Sequence, residues 1–198
     1  MEIKEIEIGG VWTIGNYENV KLAIRYSVEN EGELAAITDI LGRLSRIVWA
    51  LRKINDELNE NREVIKSISR RLGDLRERKE KCIAEFREKV NEIIEKYKDI
   101  LKPEVIEEIN KLVGQGEYNV CLEKLTHIAE CERLPNCSYY INEYEGAVKN
   151  INSLKEENNK LLELKNKIHE ALKNNDIETA YKLSINYLAT KKRTYEEW

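Results

Sequence analysis

The feature that most constrains this chain is a long run of apolar residues spaced alternately by four and by three. Ile40, Leu44, Ile47, Leu51, Ile54, Leu58, Asn61, Ile65, Ile68, Leu72, Leu75, Lys79, Cys82 and Phe86 keep this rhythm. An α-helix turns once in ~3.6 residues, so the spacing lays a single seam along one helix face. It predicts a helix from Glu33 to about Leu101. Beyond Phe86 the phase slips by one residue to Val90, Ile93, Tyr97 and Ile100, a stutter in the heptads. Leu44, Leu51, Leu58, Ile65 and Leu72 occupy one core register, and Ile40, Ile47, Ile54, Asn61, Ile68 and Leu75 the other. Leucine in the first register with isoleucine in the second favours four-helix packing over a parallel two-helix zipper. In a parallel dimer Arg71 would also face Arg76 across the interface. The expectation is a homo-oligomer, dimer or tetramer, built on this helix. Leu34, Leu41 and Val48 add a second apolar row, so its first half is expected to be covered on two sides. Asn61 and Lys79, polar at core positions, are expected to set the register.

Ahead of this helix the period changes to two. Glu5-Ile6-Glu7-Ile8 alternates, Gly9-Gly10 reads as a turn or bulge, and Val11-Trp12-Thr13-Ile14 follows. After a second turn at residues 15–19, Val20, Leu22, Ile24, Tyr26 and Val28 alternate with Lys21, Ala23, Arg25 and Ser27. Three short strands over residues 2–28 are therefore expected. They need a helix or another chain to pack on.

Beyond the long helix, Pro103 marks a break, with Glu104, Glu107 and Glu108 where the next helix's dipole favours acids. A weak repeat follows. Residues 109–121 and 168–180 each end a helix at Gly116 or Asn175, then place a small residue, Cys121 or Ala180, in the next helix. Glycine and asparagine suit a left-handed C-cap, and the small residue allows close helix approach. Tyr139 to Lys173 reads as another long helix, the natural antiparallel partner of the first. The expected fold is α+β, mostly α. A small antiparallel β-unit (1–32) precedes a long coiled-coil-type helix (33–102), and C-terminal helical hairpins (103–198) fold back on it.

The net charge is −4, which excludes a globally basic nucleic-acid coat but permits a local basic site. No apolar run approaches membrane-spanning length, and Met1-Glu2-Ile3-Lys4-Glu5 is not a signal peptide. A cytoplasmic protein without membrane contact is expected. Cys131 and Cys137 flank a turn and are spaced for a local disulfide, while Cys82 reads as a buried thiol. His127, Cys131 and Cys137 give a partial zinc spacing, but it matches no standard finger and lacks a fourth ligand. No metal or other cofactor is expected. No phosphate-binding glycine loop occurs, and no catalytic arrangement assembles around His127 or His169, so an enzyme is not expected.

Two features point to nucleic acid. Residues 43–81 hold twelve Lys or Arg against seven Asp or Glu, a local charge of +5 dominated by arginine. Arginine suits phosphate contact and base stacking. The β-unit adds Trp12, Tyr17 and Tyr26, interleaved with Lys21 and Arg25. A surface with aromatics and cations can hold single strands, because every base has a face to stack on. The candidate contacts are Trp12, Tyr17, Lys21, Arg25, Tyr26, Arg43 and Arg46.

The segment Ile14-Gly15-Asn16-Tyr17-Glu18-Asn19-Val20-Lys21, joined to a long leucine-rich helix, resembles the ThermoDBP-related single-stranded DNA-binding proteins of archaea. The resemblance covers about the first 60 residues, by architecture more than by motif, and implies single-stranded DNA or RNA binding by an oligomer. The alternative is a non-catalytic protein-interaction or structural coiled-coil scaffold, viral or an accessory or inhibitory subunit.

Overall fold

A computed structural model describes residues 6–15, 18–26, 31–128 and 134–196, and side chains over 32–33, 35–126 and 134–191. In chain order the elements are β1 (Ile6–Gly15), β2 (Glu18–Tyr26), α1 (Glu31–Tyr97), α2 (Pro103–Gln115), α3 (Tyr118–Ile128), α4 (Cys137–Lys173) and α5 (Ile177–Glu196).

The α+β expectation is overturned: this is a helical fold. Among the residues whose side chains are described, both hydrophobic cores are built from α1 to α5. The three strands expected over 2–28 reduce to one two-stranded antiparallel ribbon. Gly9 and Gly10 do not turn the chain; they pair with Ala23 and Leu22 inside β1, and the register shift falls between Thr13 and Gly15. A lone two-stranded ribbon does not make a sheet layer with its own core.

The chain divides into two compact units, Met1–Val64 with Leu154–Trp198, and Ile65–Ser153, with α1 and α4 contributing to both. In the first unit the seam of α1 is filled by the chain's own helices. Leu44, Ile47, Leu51, Ile54 and Leu58 are 0–4% exposed against α4 and α5 residues such as Leu161, Ile168, Ala180 and Leu188. Fully burying one such side chain stabilises by about 1.5–3 kcal/mol. The heptads therefore reflect packing within one chain, and the seam does not require the expected dimer or tetramer. Helix α5 runs parallel to α1. Arg43 meets Glu178 and Arg46 meets Tyr181, both 135 residues away. Further along both helices, Lys191 Nζ lies 2.9 Å from Glu57 Oε2. The polar seam residue Asn61 donates from Nδ2 to Asn158 Oδ1 of α4 at 3.0 Å.

The second unit packs Cys82, Phe86 and Val90 of α1 against Ile109 of α2, Tyr118, Cys121 and Leu125 of α3, and Cys137 of α4. Phe86 and Tyr118 meet edge to face, with ring centroids 5.2 Å apart. Helix α2 closes at Gly116, which has φ 81 and ψ 12, with the Glu117 N–H bonded to Leu112 O at 2.9 Å. Helix α4 closes the same way at Asn175, φ 57, with the Asp176 N–H on Ala171 O at 2.9 Å. Both are left-handed caps, and the small residues that follow, Cys121 and Ala180, are fully buried.

The cysteine pairing differs from expectation. Cys137 is bonded to Cys82, 55 residues away with Cα atoms 5.6 Å apart, so Cys82 is no isolated thiol. Cys131 lies outside the described residues. The antiparallel course of α1 and α4 within this unit brings the two sulfurs together, which local spacing cannot reveal. No helix among the described residues is long and apolar enough to cross a membrane.

Candidate nucleic-acid interface

Six of the seven candidate contacts fall on described residues, four on the ribbon and two on α1. On the ribbon, Trp12 stands opposite Val20 and Ile6 opposite Tyr26, while Lys21 stands opposite Val11 and Arg25 opposite Glu7. Cross-strand partners share a face and successive residues alternate. Trp12 and Tyr26 therefore occupy positions of one face, with Val20, Leu22 and Ile24, and Lys21 and Arg25 occupy positions of the other. The register separates the aromatics from the cations. Tyr17 lies outside the described residues.

Arg43 and Arg46 sit on the first half of α1 and are engaged by its neighbours. Arg43 donates from Nε to Asp39 Oδ2 at 2.7 Å and from Nη1 to Glu178, with its guanidinium 5.3 Å from the centre of the Tyr181 ring. The hydrogen bond and charge of Asp39, then Glu178, raise its pKa further. Arg46 donates to the Tyr181 hydroxyl at 3.3 Å. These contacts tie α1 to α5 and leave little of Arg43 for a ligand.

A more open concentration of cations and rings lies in the second unit. From residue 66 to 81, α1 carries seven Lys or Arg against three Asp or Glu, a net +4. Lys66, Arg70, Arg71, Arg76, Arg78 and Lys81 are exposed. Arg76 pairs with Glu80 at 2.8 Å, and Lys81 stands 4.0 Å from Glu85, both one helical turn on. Lys79, polar in the seam, sits 4.1 Å from the centre of the Tyr144 ring on α4, a cation–π contact. At the start of α4, Tyr139 and Tyr140 meet edge to face at 5.3 Å. The neighbouring Glu143 carboxylate raises the Tyr139 pKa, while Arg71 pulls the other way. Arg78, Lys81, Cys82 and Glu85 of α1 line an open cleft of about 550 Å³ with Pro135, Asn136, Tyr139 and Tyr140.

Sequence reasoning found these cations but not the tyrosines beside them. An adjacent Tyr-Tyr pair after Pro135-Asn136 was visible, but its place beside Arg78 depends on the antiparallel pairing of α1 with α4. Among the described residues no group of His, Cys, Asp and Glu could hold a metal, and the His127 side chain and Cys131 lie outside them. No protein-family model, curated protein or solved structure matches the chain.

Proposed function

We propose that this protein binds single-stranded nucleic acid, without catalysis, through the arginine-rich stretch of α1 at residues 66–81. The observation that carries the reading is the +4 charge of that stretch, exposed on a helix of a chain whose net charge is −4. A local basic surface of this kind is the electrostatic footprint of phosphate contact. The resemblance of Ile14–Lys21 and the long helix to ThermoDBP-related proteins supports it, and an intracellular location belongs to the same proposal. Arg43 and Arg46 drop out as principal contacts, because α5 and Asp39 already engage them. Fluorescence anisotropy with a labelled oligothymidylate at low salt tests the reading. Binding that weakens as salt rises supports it, and no binding at low salt sinks it.

A second reading is a protein-interaction scaffold, for which the exposed apolar side chains Trp49, at 48%, and Ile100, at 79%, are the contacts to test. It expects no affinity for the strand and a complex that Trp49→Ala or Ile100→Ser weakens.

A further inference from the structure

We infer that the cleft between α1 and the start of α4 is a binding site for one nucleotide unit, a planar base with its phosphate. The inference rests on the nucleic-acid reading above and gives it an aromatic contact that the ribbon register does not offer beside a cation. The cleft's volume of about 550 Å³ lies in the range of small-ligand sites, ~300–1,000 Å³.

Tyr139 is 59% exposed, an unusual state for a large ring beside a packed core. Its ring is braced edge to face by Tyr140, with centroids 5.3 Å apart, so a flat surface is supported and left open. That is what a stacking base requires, and stacking is indifferent to which base arrives. Across the cleft stand two cations. Arg78 has no ion-pair partner among the described residues, and Lys81 has only the distant Glu85 carboxylate. Asn136 accepts the Ser138 N–H through Oδ1 at 3.2 Å, which leaves its amide nitrogen as a donor.

The charge balance shapes the expectation. Arg78 and Lys81 against Glu85 leave the cleft only +1. Stacking on Tyr139 therefore carries more of the affinity than phosphate contact does, and Glu85 disfavours ligands that are all phosphate and no ring.

The test uses the full chain, a labelled oligothymidylate at low salt, and thymidine monophosphate as competitor. Tyr139→Ala is expected to weaken strand binding about tenfold or more, since the ring is exposed and its removal leaves the core intact. Arg78→Gln is expected to weaken it less and to flatten its salt dependence. Displacement by the monophosphate supports a site for one nucleotide unit, and failure to displace the strand counts against it. If Tyr139→Ala and Arg78→Gln bind as the parent does while Trp12→Ala or Arg25→Gln does not, the cleft is overturned and the nucleic-acid reading stands. If the parent chain binds no strand and no monophosphate, both fall.

Discussion

Asn61 and Asn158 each interrupt an apolar seam, and the fold brings the two interruptions together in one hydrogen bond of 3.0 Å. A polar group left half-buried without its partner costs about 1 kcal/mol or more, whereas removing both can be neutral. Asn61→Leu alone is therefore expected to lower the urea midpoint, and Asn61→Leu with Asn158→Leu to restore it to near the parent value. Tyr187, buried beside Glu57, titrates upward from its ordinary value of 10.0, first because burial disfavours the phenolate and then because of the Glu57 carboxylate. The unfolded chain releases this proton near pH 10.0 while the folded chain keeps it. The contribution is complete below that pH and is lost as pH rises above it. Tyr187→Phe is expected to lose stability less steeply than the parent in an alkaline series of melts. At this scale the spacing marked Asn61 as a polar interruption of the seam but not what answers it, and Tyr187 carried no mark at all. Asp39 meets Arg43 from one helical turn away, whereas the contacts with Glu178 and Tyr181 form through tertiary packing that residue spacing does not show.

Helix α1 was legible because its signal is local and repeated; of the residues named from spacing, Leu44 to Leu58 lie in one core and Cys82 and Phe86 in the other, while Ile65, Ile68 and Leu72 between them are half-buried and belong to neither. The caps at Gly116 and Asn175 were legible for a similar reason, since few residues adopt positive φ at low cost. What the heptads could not say was whose helices fill the seam; the same pattern serves an oligomer or one chain folded on itself. Strand count failed at Gly9-Gly10, where glycine signals a turn statistically but continues pairing here. The bond between Cys82 and Cys137 joins elements that spacing treats separately, and it closes a segment of 55 residues holding α2 and α3. Cross-links over segments of this size typically stabilise by about 2–4 kcal/mol. Reduction, or Cys82→Ala with Cys137→Ala, is expected to speed amide exchange in α2, α3 and the first turns of α4. Unchanged exchange would deny the bond that role. Phe86→Ala, which empties a fully buried site in the same core, is expected to cost about 3–5 kcal/mol by urea unfolding.

At the scale of the molecule, a seam closed within one chain changes what assembly means. Light scattering is expected to give the mass of a single chain over a wide range of concentration, and a stable dimer or tetramer would show that another surface drives association. The function proposed for the molecule depends on charge concentrated in one place against an acidic whole, which makes salt the discriminating variable. The most direct measurement is the affinity for an oligothymidylate as a function of salt, for the parent and for Arg70→Gln, Arg71→Gln and Arg78→Gln combined. Single-strand affinity falls with salt with a log–log slope of about −0.7 per phosphate contact. The expected result is a steep slope for the parent and one shallower by up to about 2 for the triple variant. Parent and triple variant binding alike at every salt concentration, or no binding by either at low salt, would contradict the assignment of α1 as the nucleic-acid surface.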